Sequence, residues 1–245
     1  MHVAVLGATG AVGRTMLEVL AEREIPVERL TLLASPRSAG RVVRWGGQEL
    51  EIGVAAPGCF RGVDVALFSA GGARSREWAP RAADEGAVVV DNSSAWRMDP
   101  EVPLVVPEVN AAALRDRSRG IIANPNCSTI QMVVALQALR EAAGLARVVA
   151  TTYQSVSGAG ETGRAALERE VSGEGAEGPA EGSPFTRRIE GNVIPQIGPF
   201  DETGWAEEER KMIQETRKIL GMPSLPVAAT CVRVPVAVGH SMQVM

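Results

Sequence analysis

Short runs of β-branched and aliphatic residues alternate with stretches of helical periodicity through the first half of the chain, the pattern of βαβ units around a parallel sheet. The runs predict strands over residues 3–6, 30–33, 63–68, 87–90, 104–106 and 120–123. Between the first two, Val12, Met16, Val19 and Leu20 recur at helical spacing and predict an amphipathic helix. Met132, Val133, Leu136 and Leu139 predict a second helix after Cys127. A third is expected over about 206–220, with Met212, Ile213, Ile219 and Leu220 on one side and charges on the other. Two further strands, over 148–153 and 227–235, put the second half in an α+β class.

The stretch from Glu168 to Glu190 is rich in Gly, Glu and Pro, shows no periodicity, and predicts an exposed, mobile excursion. The chain stops at GHSMQVM, amid a strand-like pattern, which reads as a truncated chain with an incomplete second domain. The composition, 45% hydrophobic and 22% charged, is that of a soluble globular protein, and an aromatic share of 4% leaves the core to Val, Ala, Leu and Ile. A formal net charge of −4 argues against a nucleic-acid surface. The longest apolar runs, such as 102–106, fall far short of a membrane span. With no basic leader before HVAVLG, a cytoplasmic location is expected, without nucleic-acid or membrane partners.

Chemistry enters first at Gly7-Ala8-Thr9-Gly10-Ala11-Val12-Gly13, which follows the first predicted strand and opens the first helix. Glycines there permit a tight turn and let backbone N–H groups approach a pyrophosphate at a helix N-terminus, as in a Rossmann-type, doubly wound α/β domain. The spacing is GxxGxxG rather than GxGxxG, so the motif alone also fits a turn without a ligand. The second strand ends in Ala34-Ser35-Pro36-Arg37-Ser38-Ala39-Gly40, with no carboxylate to hold a ribose 2′-OH. An Arg between two hydroxyls suits a 2′-phosphate, so NADP is favoured over NAD. Gly71 and Gly72, after the third predicted strand, belong to the same ligand-facing edge.

Cys59, Cys127 and Cys231 are odd in number and widely spaced, poor material for disulfides or a zinc site, and no metal is expected. Cys127 differs by context. It lies in Asn124-Pro125-Asn126-Cys127-Ser128-Thr129 directly before a strong helix, with Ser128 or Thr129 available as a cap. A thiol at a helix N-terminus feels the positive end of the dipole, which favours the thiolate and suits covalent catalysis. Of the two histidines, His2 opens the chain and His240 follows Gly239, leaving His240 as the candidate proton shuttle. The domain boundary is expected near the nucleophile, giving 1–126 and 127–245.

GATGAVG, LASPRSAG, FSAGG, VVDNSSAWR, VPLVVPEVN, NPNCSTIQM, TYQSVSGAG and CVRVPV followed by GHS occur in that order over essentially the whole chain. The ordered set resembles the aspartate-semialdehyde dehydrogenase family. The resemblance implies a nucleotide-binding domain followed by a catalytic and dimerisation domain, usually assembled as a dimer or tetramer. It implies that Cys127 attacks 4-phospho-L-aspartate, expels phosphate and forms a thioester that NADPH reduces to L-aspartate 4-semialdehyde, a step in lysine, threonine, methionine and diaminopimelate biosynthesis. His240 becomes the general acid/base and Gln154 the residue that orients the acyl group. Arg233 binds the substrate carboxylate; Arg97, Asn126 and Lys211 hold the phosphate. Glu208 meets the substrate amino group, with Glu207 and Glu209 as neighbouring alternatives. Residues Thr9, Gly10, Ala11 and Val12, with Arg37, Ser38, Ser157 and Gly158, become cofactor contacts beside Gly7, Gly13, Ser35 and Gly71.

On spacing alone, Arg97 and Arg233 also read as structural salt-bridge partners, and Glu208 with Lys211 as a solvated ion pair at i,i+3. The nearest rival activity is N-acetyl-γ-glutamyl-phosphate reductase. Rivals of another class are a non-catalytic NADP-binding protein and an inactive fragment.

Overall fold

The computed structural model describes residues 1–174 and 178–245. The chain divides into two compact units, Met1–Pro125 and Asn126–Met245.

The first unit runs β1 (His2–Leu6), α1 (Ala11–Glu22), β2 (Arg29–Ala34), β3 (Val42–Trp45), β4 (Gln48–Val54), β5 (Val65–Phe68), α2 (Gly72–Asp84), β6 (Val88–Asp91), α3 (Pro107–Asn110) and β7 (Ile121–Ala123). Its strands form one sheet in the order β3-β4-β2-β1-β5-β6-β7, parallel except for the β3–β4 hairpin at the edge. Val3 and Val5 turn to one face and pack with Leu32, Ile52 and Leu17 of α1. The alternate residues Ala4 and Leu6, in register with Ala66 and Phe68, turn to the other, where Phe68, Phe60 and Trp78 of α2 stack. Covered on both faces, the central strands read as unbroken apolar runs. The order reverses between β1 and β5, and the carboxyl ends of strands at such a reversal form a crevice.

Three expectations for this unit need correction. Residues 104–106 are not a strand: Leu104 makes a single bridge to Ala123, because Pro103 and Pro107 lack the N–H groups a ladder requires. The expected stripe on α1 is only partly inward, since Leu17 and Gly13 are buried while Val12 and Val19 are exposed. The β3–β4 hairpin and α2 were not expected. Gly46 and Gly47, both at positive φ, make the hairpin turn. In α2, Pro80 inside the helix and two glycines at its start mask the helical pattern.

The second unit contains α4 (Cys127–Ala143), β8 (Val148–Gln154), α5 (Gly160–Val171), α6 (Glu207–Leu220), β9 (Val227–Arg233) and β10 (Ser241–Val244). Its sheet has the order β10-β8-β9, with β8 parallel to β9 and antiparallel to β10. In α4, Met132, Val133 and Leu136 are buried as expected, but Leu139 is exposed. The inward stripe of α6 holds Met212, Ile219 and Leu220 together with Glu208, Glu209, Glu215 and Thr216, whereas Ile213 is only half-buried.

The expected mobile excursion begins inside a helix, because Glu168 to Val171 form the last turn of α5. Glu170, 1% exposed, accepts hydrogen bonds from the backbone N–H groups of Ala180, Ile189 and Glu190. Ile189 itself is buried with Val156, Leu167 and Ile194. A carboxylate that satisfies three amides draws a Gly-rich segment onto the fold without any periodic apolar pattern. Residues 175–177 of that stretch lie outside the described residues.

Candidate active site

At the carboxyl ends of the parallel strands of the first unit lies a cleft of about 340 Å³, lined by Gly7, Thr9, Gly10, Ser35, Ser69 and Arg74 among others. Close backbone approaches shape the turn beside it. Gly7 has φ +97°, and a Cβ there would stand 2.4 Å from the Ser69 carbonyl oxygen. A Cβ on Gly13 would stand 2.2 Å from the Gly7 oxygen, so α1 can press against the turn only with glycine at both places. Gly10 precedes α1, whose start has no side-chain cap, and Ala11 and Val12 form its first turn. Gly71, at φ +83°, likewise precedes α2. Beyond Ser35, Arg37 is exposed on a short 3-10 turn, and Ser38 accepts from the Thr9 hydroxyl at 3.4 Å. No carboxylate follows β2 through Gly40. A cradle of close backbone turns at a helix start fits a dinucleotide.

Also in the first unit, Arg97 is 8% exposed and donates to the carbonyl oxygens of Asn124 and Asn92, each at 2.9 Å.

The second unit assembles a cluster of charged and amide side chains. The β8–β9 register sets Gln154 beside Arg233 at the ends of two parallel strands. His240 comes immediately before β10, whose Ser241 pairs with Tyr153, and so arrives at the same end. Glu208 comes up from α6 and, 7% exposed, accepts from Asn126 Nδ2 at 2.7 Å and Gln154 Nε2 at 3.2 Å. Gln154 also donates to the Thr152 hydroxyl and is almost fully enclosed. Lys211 pairs with the exposed Glu207 at 2.7 Å and stands 3.8 Å from Glu208. Of the three adjacent glutamates only Glu208 joins the cluster; Glu209 accepts from the amides of Ala206 and Cys231 instead.

Arg233 is buried, donates to the Ser155 carbonyl at 2.7 Å and lies 5.9 Å from the Phe185 ring. It has no carboxylate within ion-pairing distance among the described residues. Burial lowers its pKa, opposed by the negative charges of Glu208 and Cys127, which places all three within electrostatic reach. Gly158 makes room for it, since a Cβ there would fall 2.6 Å from Nη1 and 3.3 Å from the His240 ring.

His240 Nδ1 accepts the backbone N–H of Ser155 at 3.1 Å, with the Ser155 hydroxyl at the same distance. An amide can only donate, so Nδ1 is unprotonated and the neutral ring carries its proton on Nε2. Burial and then the Arg233 charge lower the His240 pKa and favour that neutral form. Ser157 bonds to the Ser155 hydroxyl at 2.8 Å.

Cys127 is the first residue of α4 and is exposed. The cap of α4 is Asn126, not Ser128 or Thr129: its Oδ1 accepts from both of their amides. Burial pushes the Cys231 thiol up to about 12 and also raises Cys59, which leaves Cys127 as the accessible thiol of the three.

Ser155 and Glu215 belong to the cluster but were not expected. Ser155 carries no chemical signal of its own, whereas Glu215 could have been noticed as an acid on the apolar stripe of α6. No group of residues suited to a metal ion occurs among the described residues, and no helix there is long and apolar enough to cross a membrane.

Residues 2–117 match the family model for the semialdehyde dehydrogenase NAD binding domain, and 136–245 that for the semialdehyde dehydrogenase dimerisation domain. The two matches place the chain in the semialdehyde dehydrogenase class of oxidoreductases. Aspartate-semialdehyde dehydrogenases of Aquifex aeolicus and Bacillus subtilis are each 53% identical over 98% of this chain, and the chain covers 72% and 71% of their respective lengths. The crystal structure of aspartate semialdehyde dehydrogenase II complexed with ASA from Vibrio cholerae superposes with a TM-score of 0.95 at 51% identity, over 99% of this chain and 73% of that one. Aspartate semialdehyde dehydrogenase with NADP from Candida albicans gives a TM-score of 0.71 at 25% identity, over 100% of this chain and 70% of that one. The chain belongs to the aspartate-semialdehyde dehydrogenase family. That membership does not favour N-acetyl-γ-glutamyl-phosphate reductase.

Proposed function

We propose that this chain catalyses the NADP-dependent interconversion of 4-phospho-L-aspartate with L-aspartate 4-semialdehyde and phosphate, through a thioester on Cys127. The observation that carries the reading is Arg233. A buried guanidinium beside Gln154 and His240, with no carboxylate partner among the described residues, suits a substrate carboxylate.

In this reading Arg233 clamps the substrate carboxylate and Glu208 holds the ammonium. The Cys127 thiolate adds to the acyl carbonyl carbon, the carbon–oxygen bond to phosphate breaks, and phosphate leaves with the electron pair. NADP supplies or accepts the hydride that separates the acyl and aldehyde oxidation levels. The Nε2–H of His240 hydrogen-bonds to the oxyanion left by hydride addition and holds it until the carbon–sulfur bond breaks, the carbonyl re-forms and the Cys127 thiolate is released. Gln154 acts from behind, aligning Glu208. Lys211 and the second Nδ2 hydrogen of Asn126 are the phosphate-binding groups.

NADP rather than NAD is supported by Arg37 and Ser38 after β2 and by the missing carboxylate there. A homodimer or tetramer is supported by the dimerisation-domain match, and a reducing cytoplasm by three cysteines outside any disulfide.

The test incubates the chain with NADP, L-aspartate semialdehyde and phosphate, following NADPH absorbance beside Cys127→Ser. Turnover in the parent that is absent from the variant is expected. Equal turnover in both overturns the thioester mechanism.

A further inference from the structure

Two buried carboxylates of α6 converge on the residue that precedes the proposed nucleophile. Glu208 and Glu215 stand two helical turns apart on the inward stripe of α6. Glu208 accepts from the side-chain amide of Asn126 at 2.7 Å, and Glu215 Oε2 accepts from the backbone N–H of the same residue at 2.6 Å. The Oδ1 of Asn126 caps α4 through Ser128 and Thr129, and its carbonyl accepts from Ile130. Each polar group of Asn126 is therefore engaged, half of them by α6. The next residue is Cys127.

Glu215 is 1% exposed, where an apolar residue would continue the stripe without desolvating a charge. What the carboxylate reaches instead is the amide of an N-cap residue, one of the donors a helix start leaves outside its own ladder.

We propose that Glu215 is a positioning residue: paired with Glu208, it clamps Asn126 and so fixes the point and direction from which the Cys127 thiolate attacks. The inference rests on Cys127 being the nucleophile of the proposed reaction. Removing the acceptor frees the Asn126 backbone, lets the first turn of α4 shift, and misplaces the sulfur. Substrate binding through Arg233 is left in place.

The experiment compares Glu215→Ala and Glu215→Gln with the parent in the full chain. Two readouts are taken: steady-state kinetics with L-aspartate semialdehyde, and the pH profile of Cys127 alkylation by iodoacetamide, with Cys127→Ser as background. A misplaced nucleophile costs up to about 100-fold. Glu215→Ala is expected to lose about 10- to 100-fold in kcat, with KM within about threefold and an altered alkylation profile. Glu215→Gln keeps an oxygen that accepts from the Asn126 amide, and it is expected to recover kcat to within about threefold.

A folded Glu215→Ala with the parental kcat and alkylation profile overturns the proposal, as does a folded Glu215→Gln that loses as much as the alanine. Should the alanine fail to fold, Glu215→Asp replaces it, keeping the charge while withdrawing the carboxylate by one methylene. Parental kcat and alkylation in a folded Glu215→Asp would then be the overturning result. A parent without turnover counts against the reaction alone, since the alkylation profiles still decide whether Glu215 positions Cys127.

Discussion

The nucleotide cleft of the first unit and the charged cluster of the second are built from opposite materials. The cleft depends on a tight backbone turn: Gly7 and Gly13 matter for the side chains they lack, and its polar groups reach solvent. The cluster is side chains: Gln154, Glu208, Glu215 and Arg233 are buried, and each is held by at least one hydrogen bond. A backbone cradle needs no buried charge and tolerates changes at its rim. A buried charged network gains strength from the low dielectric and loses heavily when a member is removed.

The largest expected effect is on the side-chain site. Arg233→Ala removes the buried guanidinium, and truncating one partner of a buried charge pair costs roughly 3 kcal/mol, about 100-fold. We expect kcat/KM for L-aspartate semialdehyde to fall by that order while NADP binding, measured by calorimetry, stays at the parental Kd. Parental kcat/KM would remove Arg233 from the substrate site.

The intermediate effect is on the backbone site. Gly13→Ala puts a methyl 2.2 Å from the Gly7 carbonyl oxygen, and overpacking of that kind costs ~1–3 kcal/mol. Strain in the turn that contacts the cofactor is expected to weaken NADP binding by about tenfold for each ~1.4 kcal/mol, with Cys127 alkylation unaltered. An unchanged Kd would mean that this turn does not carry the nucleotide.

The smallest effect is a pH dependence confined to the second unit. Burial and Arg233 lower the His240 pKa, so below the ordinary histidine value of about 6.5 the unfolded chain binds more protons than the folded one. His240 therefore costs no stability above about 6.5, and stability falls as the pH drops from there through the lowered folded value. Urea unfolding at a series of pH values should show that slope, reduced in His240→Asn. The same slope in the variant would assign it to other groups.

The same contrast governs what could be read before the fold was known. Gly7, Gly10 and Gly13 lie within seven residues, and their purpose follows from local sterics, as does the alternation of strands with α1. The start of α4 at Cys127 was legible too, from Pro125 and the apolar repeat that follows. Where local signals conflicted with long-range ones, the reading went astray. Glycines and Pro80 hid α2, two prolines broke the expected strand at 104–106, and an aperiodic Gly/Glu stretch concealed an anchor at Glu170.

Of the cluster residues, Cys127 stood out by its place before a helix and His240 by elimination, whereas Gln154 and Arg233 could be named from the sequence only through their likeness to a family. Their convergence needed the tertiary structure, because Asn126, Gln154, Glu208, Arg233 and His240 come from a helix start, two parallel strands, another helix and the approach to an antiparallel strand. Sequence by itself determined periodicity, turns and the sheet's apolar cover, all set by neighbours a few residues away. Only the folded register of β8 with β9 and the packing of α6 decided which acids are buried, that Asn126 rather than Ser128 caps the thiol helix, and that Glu215 reaches the nucleophile's neighbour. Those outcomes depend on contacts up to 89 residues apart, and a buried carboxylate looks like any surface glutamate until its partners arrive.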